Sequence, residues 1–307
     1  MNVLSLFDGM SCGQIALERA GIKVEKYYAS EIKLHAIKVT QHNYPKTIQL
    51  GDVTKLKGED IPGRIDLLIG GSPCQDFSQA NKIKDGLKGT KSNLFYEYYR
   101  LLQEVNPKYY LLENVEMDTK EYAEISKLLG TFPIKINSEL VAPQLRSRVY
   151  WTNIGPEFID LLGERHCDIR QPKDKKDKLS NILQDGYTEK NKARCLLESD
   201  SRPLSTPVKM FHRYYTSGFT TLIFNSKAHL EDCKKYYNEN YNGMAAEDIK
   251  CDSNVFDGVR YLTQNELEKC QTIPSGYTNI LNRNDAASLL GDGWTIDVIT
   301  HIFKHLK

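Results

Sequence analysis

Strands and helices alternate through the first half of the chain, and this alternation constrains the fold more than any other feature. Short apolar runs predict strands, and segments with helical spacing of apolar residues lie between them. The predicted strands cover 3–7, 27–30, 48–50, 65–69 and 109–112, and the predicted helices cover 15–20, 35–42 and 94–104. Apolar strands separated by helices form parallel sheets that are covered on both faces. We therefore expect an α/β fold built on a mostly parallel sheet.

The composition is that of an ordinary globular protein, with 40% hydrophobic residues, 26% charged residues and a formal net charge of +1. A near-neutral charge argues against wholesale electrostatic coating of a nucleic acid, although a local basic face remains open. The seven cysteines contain no C-x-x-C pair, so we predict no metal site. Their scatter favours a reducing, cytoplasmic setting. We expect neither a signal peptide nor a membrane-spanning run.

The character of the chain changes from about residue 164. Between 164 and 213, twelve Lys or Arg residues stand against eight Asp or Glu residues, a local surplus of four positive charges. A strand is predicted over 219–224, and tyrosines are dense around it: Tyr214, Tyr215, Tyr236, Tyr237 and Tyr241. The last segment, 296–306, has the apolar spacing of a helix. The sequence thus predicts a smaller, irregular, β-containing region that precedes a return to compact order.

Three acidic residues follow successive predicted strands, at the sheet edge where ligands bind in open parallel folds. Asp8 lies in the turn 7–13, which lacks both the G-x-G-x-x-G spacing and any Lys or Arg to meet a pyrophosphate. Glu31 could accept hydrogen bonds from ribose hydroxyls, and Asp52 could accept one from an adenine amino group. Their structural alternatives are a tight turn, a solvated carboxylate and a turn-forming Asp beside Gly51. Together they favour an adenosyl ligand without phosphates.

A cysteine on a turn rich in Gly and Pro is the strongest chemical signal in the chain. Cys74 follows the predicted strand 65–69 in the stretch Gly70-Gly71-Ser72-Pro73-Cys74-Gln75. A thiolate is intrinsically very nucleophilic, and this setting presents the side chain rather than packing it. The alternative, a small buried hydrophobe, fits poorly with such polar surroundings. The polar stretch 79–93 could form a mobile loop that closes over a substrate.

Two further polar groups lie downstream. Glu113-Asn114 ends the next predicted strand, and Glu113 is either a general acid or a structural acid. The period-two spacing of Gln144, Arg146 and Arg148 predicts one shared face of an extended segment. Two guanidinium groups there could hold a carboxylate, a phosphate or a base carbonyl, or else form a surface salt-bridge face.

Taken together, these residues resemble the DNA cytosine-5 methyltransferase family. The matching pieces occur in the family's order: Phe7-Asp8-Gly9 with Gly13, Glu31, Gly51-Asp52-Val53, Ser72-Pro73-Cys74-Gln75, Glu113-Asn114-Val115, Gln144-x-Arg146-x-Arg148, Arg260-Tyr261-Leu262-Thr263-x-x-Glu266, and Gln271-Thr272-Ile273-Pro274-x-Gly276-Tyr277. The resemblance implies a Rossmann-like methyltransferase fold. It also implies a catalytic domain formed by 1–156 and 257–307 and a target recognition domain formed by 157–256.

The resemblance also implies the site. S-adenosyl-L-methionine, which leaves as S-adenosyl-L-homocysteine, would be bound by Phe7, Asp8, Gly9, Met10, Gly13, Glu31, Ile32, Asp52, Val53, Ser72, Leu94, Asp292 and Trp294. The catalytic set would be Pro73, Cys74, Glu113, Asn114, Arg146 and Arg148. DNA would be contacted by Gln75, Ser78, Thr220, Thr221 and Leu222, although an ordinary strand explains the last three slightly better. Asp292 stands where the family usually has the Asn of a Gly-Asn pair.

In the implied mechanism, Cys74 adds to carbon 6 of a flipped-out cytosine, and protonated Glu113 hydrogen-bonds ring nitrogen 3. Arg148 orients Glu113 and contacts the base carbonyl, while Arg146 helps to shape the same pocket. The C-terminal helix is expected to pack beside the first motif. The implied partner is double-stranded DNA, with a cognate restriction endonuclease as a candidate second partner, and we expect a monomer.

Within the family, Leu94-Phe95-Tyr96-Glu97 and Gly291-x-x-Trp294 resemble the de novo branch, but the short chain favours a bacterial or phage enzyme. Three alternatives stay open. A tRNA methyltransferase branch carries a Cys-Phe-Thr signature that this chain lacks. Non-catalytic homologues usually lose the Pro-Cys or the Glu-Asn-Val, and both are present here. A nicotinamide-dependent oxidoreductase would need the missing phosphate-binding fingerprint.

Overall fold

The computed structural model describes residues 1–72, 93–197, 206–218, 220–249 and 253–306. The chain divides into two compact units. Unit 1 consists of 1–138, 147–173 and 294–307, and unit 2 consists of 139–146 and 174–293. These boundaries differ from those expected for the two functional domains, whose roles stay a prediction. No helix in the described part of the chain combines the length and apolarity needed to cross a bilayer.

Unit 1 is built on a seven-stranded sheet with the strand order β3-β2-β1-β4-β5-β7-β6. Its strands are β1 (Asn2–Leu6), β2 (Lys26–Ser30), β3 (Ile48–Gln49), β4 (Leu67–Gly70), β5 (Tyr109–Asn114), β6 (Ile134–Asn137) and β7 (Ser147–Thr152). The first five strands run parallel to one another, and β7 runs antiparallel to both β5 and β6. The predicted mostly parallel α/β fold is therefore confirmed.

The helices of unit 1 connect these strands and cover the sheet. They are α1 (Cys12–Arg19), α2 (Leu34–Asn43), α3 (Asn93–Val105), α4 (Thr119–Leu129) and α9 (Ile296–Phe303), where α9 takes its number from its place in the chain. The three helices predicted in the first half are present. α9 packs on α1, with an ion pair of 2.7 Å between Arg19 and Asp297. This contact confirms the expected packing of the C-terminal helix beside the first motif.

Unit 1 also contains a short antiparallel hairpin that the sequence pattern did not reveal. It consists of β8 (Glu157–Ile159) and β9 (Arg165–Cys167). Asp160, Glu164 and His166 lie there with potential metal-ligand atoms within 4.8 Å of one another. Hydrogen bonding explains the grouping, since Asp160 accepts from the backbone of Leu162 and Glu164 and pairs with His166 at 3.0 Å.

Helices are the main regular secondary structure among the described residues of unit 2, and irregular segments connect them. The unit contains α5 (Pro207–Ser217), α6 (Lys227–Asn240), α7 (Gln264–Cys270) and α8 (Arg283–Asp292). The prediction of a continuous strand over 219–224 is wrong for residues 220–224, where only Ile223 and Phe224 form isolated bridges. The β content of this unit is therefore limited, among the residues described, to such bridges.

The tyrosine density around that segment builds the core of unit 2. Tyr214, Tyr237 and Tyr241 are buried against Phe211, Phe224 and Phe256. Aromatic side chains bury a large area each, so a few of them can supply the core of a small helical unit. These three tyrosines are committed to packing and not to a solvent-facing surface.

Candidate active site

The carboxyl ends of the parallel strands bring the predicted site residues of unit 1 to one edge of the sheet. Leu6 at the end of β1 is in register with Ser30 of β2 and Gly70 of β4. Because β7 is antiparallel, it begins where β5 ends, and Asn114 pairs with Val149. Asp8, Glu31, Ser72, Glu113 and Arg148 therefore share this edge.

The turn after β1 has an unusual backbone. Phe7, Gly9 and Ser11 adopt the left-handed region, with φ of 55°, 59° and 61°. Such a conformation is uncommon for a bulky residue like Phe7 and occurs most often at functional sites. A Cβ on Gly9 would meet no atom within 4 Å, so the space beside this turn is open.

Asp8 is buried beneath the turn and holds it in place. Its carboxylate accepts hydrogen bonds from the hydroxyls of Ser11 at 2.5 Å and Tyr27 at 2.7 Å. Burial raises the pKa of Asp8 from 3.8 to about 6, while the hydrogen bonds from Ser11, Ser5 and Tyr27 oppose the rise. Asp8 is only 8% exposed, and its carboxylate is hydrogen-bonded to these partners. No local sequence signal indicated that Ser11 and Tyr27 would be its partners.

Glu31 ties the first turn to the start of the second. One carboxylate oxygen accepts from the backbone N–H of Gly9 at 2.8 Å. The other accepts from the backbone N–H groups of Ile32 and Lys33 at 2.7 and 2.8 Å. A carboxylate has about four lone-pair sites, so these three donors of the described residues leave one site for a further donor such as a hydroxyl.

The other residues expected at the cofactor fall into two groups. Ile32 is 69% exposed beside Glu31, and Asp52 is on the surface, accepting from the backbone and the hydroxyl of Thr54. These hydrogen bonds lower the pKa of Asp52. Buried or packed side chains form the second group: Met10, Val53 and Leu94. Gly13 is needed for packing, since a Cβ there would overlap Ile69 Cδ1 and lie 2.8 Å from the Tyr27 hydroxyl.

Glu113 and Arg148 form the polar centre of the edge. Arg148 Nε lies 3.0 Å from Glu113 Oε1, and both side chains are largely buried, with exposed fractions of 14% for Arg148 and 11% for Glu113. A Cβ on Gly71 would lie 3.0 Å from Glu113 Oε2 and 3.0 Å from Trp294 Nε1. A side chain at 71 would therefore crowd both groups, a constraint that the sequence alone did not reveal.

The strand end next to Glu113 is fixed by a buried amide. Asn114 Nδ2 donates to the Ser72 hydroxyl at 3.1 Å, and Asn114 Oδ1 accepts from the backbone of Val115. Ser72 is the last residue described before the gap in the structure. Pro73, Cys74, Gln75 and Ser78, and the predicted loop over 79–93 except its end at Asn93, lie outside the described residues.

Of Gln144, Arg146 and Arg148, only Arg148 lies in a strand, and the catalytic roles expected of Arg146 and Arg148 stay a prediction. Arg148 belongs to β7 in unit 1, whereas Gln144 and Arg146 are buried in unit 2. Arg146 donates to the carbonyls of Leu196, Gly291 and Gly293. Asp292, between these two glycines, is exposed.

Thr220, Thr221 and Leu222 are also buried within unit 2, at 1%, 7% and 0% exposure. Thr221 accepts a hydrogen bond from the backbone of Arg194, and Leu222 lies in the aromatic core. Their expected contact with DNA stays a prediction.

Comparison with known proteins shows the family to which the chain belongs. A family model of C-5 cytosine-specific DNA methylases matches residues 1–307, and the chain belongs to that family. It is similar to the orphan methyltransferase M.SPRI of Bacillus phage SPR, with 39% identity over 172 residues that cover 52% of this chain and 39% of that protein.

A longer alignment relates the chain to the type II methyltransferase M1.ScrFI of Lactococcus lactis subsp. cremoris. It shows 26% identity and covers 99% of this chain and 77% of that protein. The alignments with the first three relatives span only 34%, 39% and 46% of their length. A crystal structure of Spodoptera frugiperda DNMT2 has the same fold, with a TM-score of 0.70, 21% identity and 99% coverage of both chains.

Proposed function

We propose that this chain transfers a methyl group from S-adenosyl-L-methionine to carbon 5 of cytosine in double-stranded DNA, with Cys74 as the nucleophile. The observation that carries the proposal is the Glu113–Arg148 ion pair beside Gly71. It lies at the strand end from which the chain continues to Ser72, Pro73 and Cys74. In a member of the C-5 cytosine-specific DNA methylases, this arrangement supports an acid and a thiol acting on one base.

The residues at the edge suit an adenosyl group. Open space beside Gly9 gives access to the backbone of the turn, and Glu31 retains an acceptor site for a ribose hydroxyl. Ile32 offers an exposed apolar side chain next to Glu31, against which a purine can stack. The turn 7–13 has no Lys or Arg, which agrees with a ligand that lacks phosphates. S-adenosyl-L-methionine would supply the methyl as an electrophilic sulfonium.

The residues of the chain would then divide the work on the base. The Cys74 thiolate forms a bond to carbon 6, and the electron pair of the 5,6 double bond moves to carbon 5, which can then attack an electrophile. Glu113 would take up a proton before it donates a hydrogen bond to ring nitrogen 3, and Arg148 holds the Glu113 carboxyl in position. After methylation, loss of the carbon 5 proton to a base restores the double bond and expels the Cys74 thiolate.

A base inside a stacked duplex is out of reach for this chemistry, so the cytosine must be flipped out at a cost of a few kcal/mol. We assign recognition of the duplex to residues 157–256. Exposed cations in its first part, among them Lys173, Lys175, Lys176 and Lys178, suit contacts with phosphates. The identity of the recognised sequence depends on this region.

The test is base-resolution sequencing of 5-methylcytosine in a methylation-free host that expresses the chain. Cys74→Ser should abolish methylation while S-adenosyl-L-homocysteine binding persists, because only the nucleophile is lost. Cys233→Ser is the matched control, since Cys233 is buried and its thiol donates to the Val255 carbonyl, as a serine hydroxyl can.

Methylation at a short shared DNA motif with the wild type and Cys233→Ser, and none with Cys74→Ser, is the expected result. Substantial turnover by Cys74→Ser would refute the nucleophile. If tRNA and not DNA is methylated in the same cells, the proposed substrate is wrong and becomes tRNA, while the proposed role of the cysteine is kept.

A further inference from the structure

The segment that precedes Trp294 is held by three buried polar side chains of unit 2, and Arg146 is the central one. Arg146 is 4% exposed, and Gln144 and Gln271 are fully buried. We call these three residues the junction clamp. Its members hydrogen-bond to the backbone of 290–293 or to one another, so this part of the chain is fixed from within the unit.

The hydrogen bonds of Arg146 reach both sides of Asp292. Nη1 donates to the Gly291 carbonyl at 3.1 Å and to the Leu196 carbonyl at 3.3 Å, and Nη2 donates to the Gly293 carbonyl at 2.9 Å. A guanidinium carries five donors in a rigid planar fork, so it can hold several carbonyls at defined angles at once. A lysine ammonium lacks that geometry.

Gln271 and Gln144 complete the clamp. Gln271 Nε2 donates to the carbonyls of Leu290 at 2.6 Å and Gly293 at 3.1 Å. Gln144 Nε2 donates to Gln271 Oε1 at 2.7 Å, which fixes the orientation of the Gln271 amide. The carbonyl of Gly293 therefore accepts from two buried side chains.

Arg146 and Gly293 are both places where the chain leaves unit 2. Unit 2 ends at Arg146 before β7, and it ends again at Gly293 before Trp294. Two residues after Arg146 comes Arg148, the partner of Glu113. Directly after Gly293 comes Trp294, whose Nε1 faces the same Gly71 position as Glu113. The hydrogen bond between Arg146 and Gly293 therefore links the two residues after which the chain passes out of unit 2.

We propose that Arg146 is a positioning residue that fixes the backbone from which Trp294 extends, and not a residue that contacts the base. Burial of a guanidinium removes the charge from water at a cost in stability, so hydrophobic packing would serve stability as well or better. The buried Arg146 would have a function if its hydrogen bond to the Gly293 carbonyl fixes the peptide bond that leads to Trp294. The inference rests on the proposed function only for the cofactor contact expected of Trp294.

The experiment measures acrylamide quenching of Trp294 fluorescence in the protein without substrates. The chain has two tryptophans, and Trp151 is fully buried, so Trp294→Phe versions of each protein give the Trp151 contribution for subtraction. Arg146→Gln should raise the quenching constant of Trp294 about two-fold, because the local segment opens more readily once its clamp is removed.

Arg260→Gln is the matched control. Arg260 is a half-buried arginine of unit 2, but it pairs with Asp185 and Glu266. Its loss should lower the melting temperature and leave Trp294 quenching unchanged. If Arg146→Gln behaves in the same way, with a lower melting temperature and unchanged quenching, its role is only structural and the proposal is overturned.

A second variant covers the case in which Arg146→Gln does not fold. Gln271→Met removes the other donor to Gly293 with little change in volume, and it should also raise Trp294 quenching. Unchanged quenching in a folded Gln271→Met protein would overturn the clamp. Both quenching measurements can be made on a protein that transfers no methyl group. The clamp can therefore be tested even if the proposed function is wrong.

Discussion

Replacing Asp8 with asparagine should make the folded protein relatively more stable as the pH rises, because Asp8 is a buried carboxyl group. The pKa of Asp8 is raised by burial from 3.8 in the unfolded chain to about 6 in the folded protein. Between these two values the folded protein binds more protons than the unfolded chain. Stability from this group is therefore fully present below pH 3.8 and is lost as pH rises through about 6.

The magnitude follows from the pKa difference. At about 1.4 kcal/mol for each pKa unit, the ionised Asp8 costs the folded protein about 3 kcal/mol above pH 6. An asparagine side chain cannot ionise, so Asp8→Asn removes this cost at neutral pH. The amide nitrogen cannot accept from Ser11 or Tyr27, which forfeits about 1 kcal/mol, but that loss is the same at every pH.

The assay is urea unfolding of the wild type and Asp8→Asn at half-unit steps from pH 4 to pH 7.5. The difference in unfolding free energy, variant minus wild type, should rise with pH by about 2 to 3 kcal/mol and level off above pH 6.5. Asp52→Asn is the control, since the pKa of Asp52 is lowered and its slope should be flat or opposite in sign. A pH-independent difference for Asp8→Asn would refute the reasoning.

Two further predictions concern the edge of the sheet. Glu113→Gln should reduce kcat by about 10²-fold or more with little change in melting temperature, because the acid that serves ring nitrogen 3 is lost. Glu116→Gln is its control, since Glu116 pairs with the surface residue Lys135, and equal rates for the two variants would remove Glu113 from its role. Gly13→Ala should destabilise the fold by about 1 to 3 kcal/mol, because its Cβ would overlap Ile69 Cδ1. Adding Ile69→Val, which deletes that methyl group, should recover part of the loss in the same urea titration, and no recovery would contradict the overlap.

The sequence alone determined the sheet and the edge at which its polar residues meet. Apolar runs and helical spacing are local signals, and all five predicted strands of the first half are present as β1 to β5. Because parallel strands end on one side, the order of Asp8, Glu31 and Glu113 along the chain was enough to predict their shared edge. Strand bounds were less determined, since β5 continues through Glu113 to Asn114.

Contacts between distant residues decided the rest. Period-two spacing treats Gln144, Arg146 and Arg148 alike, but β7 begins at Ser147, so only Arg148 joins the strand that reaches Glu113. The partners of Asp8 and the fit of Gly71 against Trp294 join residues that are far apart in the chain. Likewise, the sequence showed only a density of tyrosines around 219–224, and packing placed Tyr214, Tyr237 and Tyr241 in the core of unit 2. Local pattern sets which elements form, and only packing settles which side chains remain free for function.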